Sequence, residues 1–278
     1  MGHLPLPQPY SFELSTERFR AFGLDRANVW HDDALHRFVA GREVRIAAAP
    51  GGVDIEPWDD AIAAEALRHL GADFDLPAFY AWAAADPVLH RVASALEGFR
   101  PPLVPDPFEA LVTSITAQQV SLQSAFAIRS RFVERFGTAG RVAYAFPTRE
   151  RVASAAEEEL VALGFSRRKA EYVVGLARAE LELDALAALP DDGVKARLVE
   201  LRGLGEWTAD WYLARHLGRP HAWPAGDLGL RKAVRVFYGE GEDVADLGAR
   251  LHPFQNLSAQ YLLTGLLVVA PTAAPGRA

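Results

Sequence analysis

The chain contains no cysteine. That absence removes disulfides, thiolate nucleophiles, cysteine-ligated zinc and iron–sulfur clusters, and it fits a reducing cytosol. Long apolar runs are missing too. The most hydrophobic stretch, Tyr261 to Ala270, is too short to span a bilayer and suits a buried helix. The start His3-Leu4-Pro5-Leu6-Pro7 has no basic segment and no apolar core, so no secretory signal is read there. The histidines, among them His216, His221 and His252, are scattered without metal-ligand spacing. Long repeats and low-complexity segments are also lacking. The expectation is a cytoplasmic monomer with no membrane contact and no required cofactor.

What is present is an ordinary globular composition. Of 278 residues, 50% are hydrophobic and 23% charged, enough for a well-buried core and two domains. The net charge of -7 looks wrong for a polyanion partner. Its distribution changes that impression: residues 1–100 carry 9 Lys+Arg against 15 Asp+Glu, leaving 20 against 21 for the rest. A near-neutral remainder can still display a local basic face, so charge neither supports nor excludes nucleic acid.

The first ninety-odd residues read as a mixed α/β unit. Leu35–Phe38 and Val44–Ala48 are strand candidates around Gly41-Arg42. Pro50-Gly51-Gly52 is a turn, Val53-Asp54-Ile55 a further strand, and Ala61–Leu70 a helix. The Gly/Pro-rich stretch from Gly98 to Pro107 marks a boundary, giving domains 1–97 and 98–278. Helices follow. Phe108, Leu111, Val112 and Ile115 lie on one helical face, and Ser121 caps a second helix that runs to about Phe136 and ends at Gly137. Arg149–Leu163 and Arg167–Leu181 flank Gly164-Phe165-Ser166, with Ser166 as N-cap. Val194–Leu201 and Trp207–Leu217 repeat that pattern around Gly203-Leu204-Gly205. The last helices cover Leu230–Phe237 and Ser258–Val268, and the tail from Pro271 is expected to fray.

The segment from Leu201 to Arg235 carries the chemistry. Gly203 and Gly205 join two helices in a tight hairpin, where a phosphate can approach the backbone and the free N–H groups opening the second helix favour an anion. Thr208 belongs to that helix start. An ordinary connection with a glycine cap competes with this explanation. No strand precedes Gly203-Leu204-Gly205, so it is not a dinucleotide fingerprint. Asp227 stands 22 residues beyond Gly205, within Pro224-Ala225-Gly226-Asp227-Leu228-Gly229. A ten-residue helix and a return loop can bring it back to the hairpin, although taken alone a carboxylate there reads as a helix cap.

Together the two parts resemble the helix-hairpin-helix, Gly/Pro-Asp superfamily of DNA glycosylases, and within it the bacterial 3-methyladenine DNA glycosylase II family. Pro9-Tyr10-Ser11-Phe12 is similar to that family's opening. Thr116-Ala117-Gln118-Gln119-Val120-Ser121 and Leu163-Gly164-Phe165-Ser166-Arg167-Arg168-Lys169-Ala170 match its first helix end and central helix pair. The resemblance implies an α+β chain: a small mixed N-terminal domain, then an all-α bilobal helix-hairpin-helix unit with the catalytic cleft between its lobes. It implies hydrolysis of the N-glycosidic bond of alkylated purines in damaged double-stranded DNA, in base excision repair. Asp227 would stabilise the oxocarbenium-like sugar of a flipped nucleotide and orient water.

Further roles follow from the same resemblance. Bifunctional relatives carry a Schiff-base lysine where this chain has Trp207, so a monofunctional enzyme is implied. Trp207 and Trp211, four residues apart, are pocket candidates able to hold a cationic base by cation–π attraction, with core packing as the alternative. Phe254 stands where the family has a pocket tryptophan, and Gln255-Asn256 where it has Arg-Ser. Gln118 and Gln119 are wedge candidates, Gln119 foremost. Arg231 and Lys232 are phosphate candidates, whereas Arg167, Arg168, Lys169 and the run Glu157-Glu158-Glu159 suit solvated faces. The carbonyls of Val199, Leu201 and Gly203 form a candidate sodium or potassium site. Two other functions stay open: a glycosylase for oxidised or deaminated bases, and a catalytically silent DNA-binding relative.

Overall fold

The alternation that starts at Leu35 builds an antiparallel sheet. The computed structural model describes residues 1–269. Its five-stranded sheet comprises β1 (Gly2–Pro5), β2 (Asn28–His31), β3 (Ala34–Val39), β4 (Arg42–Ala49) and β5 (Gly52–Glu56), in the order β1-β5-β4-β3-β2. Leu35, Val39, Val44, Ile46, Val53 and Ile55 are buried in one core with Ile62, Ala66 and Leu70. Helices α1 (Phe12–Thr16) and α2 (Arg18–Ala21) precede β2, and α3 (Asp60–His69) follows β5. Asp59 caps α3 by accepting the Ile62 N–H at 2.8 Å.

Two of these strands escape the sequence pattern, and both are edges. β1 carries Pro5 and pairs on one side only, with β5. Proline is tolerated there because the missing N–H costs no ladder bond on an open edge. Pro5 is therefore compatible with a strand at this edge.

Helices α4 (Leu76–Ala83) and α5 (Pro87–Ala95) come next and also escape the pattern. Although they precede residue 98, they share a core with the end of the chain. Phe79, Leu89 and Val92 pack with Leu230, Val234 and Leu262. Those partners belong to α13 (Leu228–Tyr238) and α15 (Gln255–Val268), with α14 (Val244–Arg250) between them.

The intervening helices form a separate core. α6 (Pro107–Ala117) buries Phe108, Leu111, Val112 and Ile115, the stripe read from the sequence. α7 (Leu122–Phe136) starts at Ser121, whose hydroxyl accepts the Ser124 N–H at 3.2 Å. A short ribbon, β6 (Thr138–Ala139) with β7 (Tyr144–Ala145), leads to the next helices. Here the expected single helix over 149–163 is two: α8 (Arg149–Ala153) and α9 (Glu157–Ala162). The break is held from outside. Arg178, in α10 (Arg167–Arg178), donates to the Ala153 and Ala155 carbonyls at 2.9 and 3.1 Å, and Glu159 accepts the Ala156 N–H at 3.2 Å. Glu157, Glu158 and Glu159 occupy the first turn of α9, where the helix dipole favours them. α11 (Asp191–Val199) and α12 (Glu206–Arg215) complete this lobe. The tail from Pro271 lies outside the described residues.

Candidate active site

The hairpin between α11 and α12 turns at Gly203, which has φ +90. A Cβ there would lie 2.2 Å from the Tyr172 ring, so the position needs glycine for both conformation and space. Gly205 is the N-cap of α12 and provides no side-chain cap. The N–H groups of Glu206, Trp207 and Thr208 precede the first intrahelical bond, from Ala209 to the Gly205 carbonyl at 3.0 Å. They remain for an outside acceptor. The Thr208 side chain is buried, so its contribution at this end is its backbone.

From α12 the chain returns through Pro224 to Asp227. The Asp227 N–H bonds to the Pro224 carbonyl at 2.8 Å, closing the turn. The capping expectation and the functional one then meet in a single carboxylate. Oδ1 accepts the Leu230 N–H at 2.9 Å and caps α13. Oδ2 accepts Nε1–H of Trp207 at 2.8 Å and of Trp211 at 3.0 Å. Three donors fix the carboxylate beside the first turns of α12. Gly229 makes room for it, since a Cβ at that position would stand 3.0 Å from Oδ1.

The two tryptophans share a helix face, as their spacing implies, and their indole edges hold the carboxylate. Trp211 is 5% exposed and Trp207 partly buried. A charged acceptor with two indole donors is held by charge-assisted bonds, stronger than neutral ones.

The other candidates separate by location. Gln118 ends α6, and its Nε2 donates to the Gly203 carbonyl at 3.0 Å and to Thr208 Oγ1 at 3.4 Å, tying the α6–α7 loop to the hairpin. Gln119 is exposed and has φ +55, a left-handed conformation that is costly for a residue with a Cβ. Phe254 packs its ring at 5.7 Å from Phe79 and 5.3 Å from Trp82, within the aromatic cluster around α4. Arg231 is exposed and donates to the Ala225 carbonyl at 3.0 Å, bracing the turn before Asp227. Lys232 is exposed one residue on. In the first basic cluster, Lys169 donates to the Thr116 carbonyl at 2.9 Å, and burial lowers its pKa.

The carbonyls of Val199, Leu201 and Gly203 stand at the hairpin. Leu201 accepts the Leu204 N–H at 3.1 Å and Gly203 accepts Gln118, which leaves each a second lone pair. Such hard oxygen donors fit a monovalent cation.

Two residues near the site were given no role by the sequence. Asn256 is fully buried and donates to the carbonyls of Ala214 and Arg219, both at 3.0 Å, pinning α15 to the end of α12. No spacing announces such a contact. Arg215 lies four residues beyond Trp211 and stacks on its ring, with 3.8 Å from guanidinium carbon to centroid. The i, i+4, i+8 series Trp207, Trp211, Arg215 was the available signal.

A helical lobe with a glycine hairpin, followed by an aspartate caught between the indoles of the hairpin's second helix, defines a helix-hairpin-helix protein with an acidic site. Residues 112–248 match the HhH-GPD superfamily of base excision DNA repair proteins, and the chain belongs to that superfamily. It is 35% identical over 172 residues to the DNA-3-methyladenine glycosylase of Bacillus subtilis, covering 59% of this chain and 57% of that protein. Among solved structures it is similar to the 3-methyladenine DNA-glycosylase from Archaeoglobus fulgidus. That likeness has a TM-score of 0.85 at 26% identity and covers 95% of this chain and 97% of that one. A second is the Schizosaccharomyces pombe 3-methyladenine DNA glycosylase in complex with abasic DNA, with a TM-score of 0.59 at 25% identity, covering 66% and 93%. The chain spans about half the length of several curated relatives it matches. Among the described residues no helix is long and apolar enough to cross a membrane.

Proposed function

We propose that the protein is a monofunctional DNA glycosylase that hydrolyses the N-glycosidic bond of alkylated purines in duplex DNA. The observation that carries this reading is the Asp227 carboxylate, fixed by two indole N–H groups and a helix start next to an open hairpin N-terminus. The reaction needs a negative charge beside a sugar that becomes cationic as the base leaves. A preorganised carboxylate supplies it without reorganisation at the moment of bond breaking. The hairpin N–H groups suit a backbone phosphate, and Arg231 and Lys232 add positive charge. The relatives named for 3-methyladenine support the alkylated-base preference.

Water is the nucleophile in this reading. The chain has three lysines, Lys169, Lys195 and Lys232, and none takes the hairpin position held by Trp207. Lys169 is bound to the Thr116 carbonyl and Lys195 to Asp210 at 2.6 Å. In this account residues 1–97 brace the region 98–278, which carries the cleft, and lend it α4 and α5. A sodium or potassium ion on the carbonyls of Val199, Leu201 and Gly203 would neutralise their dipoles and stiffen the hairpin.

The test is incubation with duplex DNA bearing methylated purines, with products identified by mass. Free methylated base with the strand intact is the expected result. Absence of released base, or nicking with a borohydride-trapped adduct, would contradict it.

Gln119 suits the wedge that fills the hole left by a flipped base, with Gln118 holding its loop to the hairpin. Gln119→Ala is expected to weaken binding to lesion duplex by about tenfold. The loss on single-stranded substrate should be smaller, because no hole needs filling there. Alanine carries the same left-handed backbone cost, so the melting temperature should hold. Equal losses on both substrates would count against the wedge.

A further inference from the structure

A second group of charged side chains lies apart from Asp227 and the tryptophans, where the sheet unit meets the helical lobe. Arg18 of α2, Asp25 and Arg37 of β3 approach from one side, and Glu109 and Thr113 of α6 with Arg129 of α7 from the other. Together they line a cavity of about 30 Å³. That is close to the volume one molecule occupies in liquid water. The space suits a water or a monatomic ion, not a phosphate or a carboxylate.

The charges around this space do not cancel. Arg129 is held by both Asp25 and Glu109. Arg37 donates to Asn28 Oδ1 at 2.8 Å and stands 3.9 Å from Glu109. His69, also in the lining, is neutral: its Nδ1 donates to the Leu103 carbonyl at 2.8 Å, and its Nε2 accepts from Arg37 at 3.2 Å. Burial and the Arg37 charge keep its pKa well below the usual imidazole value. Glu65 also acts on Arg37, but its carboxylate is turned to the Ala40 N–H at 3.1 Å and does not line the cavity. Three guanidiniums therefore face two carboxylates, an excess of one positive charge.

The excess falls on Arg18. It is partly buried, its guanidinium carbon lies 5.8 Å from the Phe19 ring centroid, and it has no hydrogen-bond or salt-bridge acceptor among the described residues. Burial above all pulls its pKa down to about 10, against the pull of Asp25 and Glu109. Thr113 adds a donor, since its Oγ1 accepts the Arg129 Nε–H at 3.1 Å and its own proton is left to give. Water can accept from these groups but brings no charge. An anion cancels the excess, and the low local dielectric that penalises a lone guanidinium strengthens the attraction between the two.

We propose that this cavity binds one small monovalent anion of the halide class, held by Arg18 and Thr113 between the sheet unit and the helical lobe. Bound there, the ion fastens the two together through groups from both sides. The inference is independent of the glycosylase reading.

The test is thermal unfolding in sodium chloride and in sodium gluconate at equal ionic strength, with wild type, Arg18→Gln and Arg20→Gln. Gluconate is too large for the cavity. Wild type should melt about 3 °C higher in chloride, the shift expected when the ion stands at roughly ten times its dissociation constant. Arg18→Gln should lose that difference. Arg20→Gln removes the same charge outside the cavity and should keep it. In wild-type crystals soaked with bromide, an anomalous peak should lie within hydrogen-bond distance of the Arg18 guanidinium. A chloride gain that is absent from wild type, or that survives Arg18→Gln, would overturn the proposal. Loss of the gain in Arg20→Gln as well would reduce it to general screening and overturn the site equally. So would a water at that position with no bromide peak.

Discussion

Asp227→Asn should lower the rate of base release by about a thousandfold, equivalent to roughly 4 kcal/mol of lost transition-state stabilisation. The substitution keeps the shape and removes the charge. It is not silent for folding, because the carboxylate has only acceptors and all three of its neighbours donate. If the asparagine oxygen caps Leu230, its amide N–H₂ points at both indole N–H groups. If the amide flips, the cap is lost instead. Either orientation leaves donors facing donors, at a cost of about 1–3 kcal/mol. The expected result is therefore a large kinetic loss with a modest fall in melting temperature. A thousandfold loss with unchanged stability would mean that the hydrogen bonds around Asp227 are weaker than drawn here. A large fall in stability with near-normal release would return Asp227 to a capping role alone.

The second large effect lies far from the hairpin. Arg129 of α7 is bound to Asp25, before β2, and to Glu109 of α6, with side chains 4–6% exposed. Burial works against its charge, and the two carboxylates more than offset that, so its pKa is raised. Arg37 of β3 closes the group from the sheet side, donating to Asn28 Oδ1 at 2.8 Å. This cluster joins the sheet unit to the helical lobe. Arg129→Met should cost about 3–5 kcal/mol, because two buried carboxylates lose their shared cation. On a chain of this size the melting temperature should fall by on the order of 10 °C. Adding Asp25→Asn and Glu109→Gln to that variant should restore much of the loss, since the stranded charges are then gone. Failure of the triple variant to recover would show that shape, not charge, governs the cluster.

These two effects differ in how far the sequence announces them. Asp227 was legible because a short turn signal, a cap position and the hairpin glycines lie within one local segment. Its dual use was not. Only the folded α12 reveals that Trp207 and Trp211 aim their N–H groups at one oxygen. Strands β4 and β5 were legible from their alternation, because one face of each is buried, and the α6 stripe was legible from its helical period although Glu109, Ala110 and Thr116 are buried beside it. Edge strand β1, four residues ending on Pro5, is too short to show a period. The break between α8 and α9 was hidden because Arg178, on another helix, satisfies the carbonyls that the break exposes. The Asp25, Glu109 and Arg129 cluster was invisible for a different reason: its members are scattered across more than a hundred residues, |i−j| being 104 for Arg129 with Asp25. Long-range charge pairing follows from topology, and no local pattern encodes it.

The central claim is that the charge of Asp227 recognises a cationic sugar, and it is tested most directly by binding. Affinity is measured for two abasic-site duplexes, one with a protonated pyrrolidine in place of the sugar and one with a neutral tetrahydrofuran, against wild type and Asp227→Asn. Wild type should prefer the cationic analogue by at least about a hundredfold, the range in which transition-state mimics begin to separate from ordinary ligands. Asp227→Asn should lose most of that preference while retaining its affinity for the neutral duplex. A preference that survives the substitution would contradict the account and place the stabilising charge elsewhere.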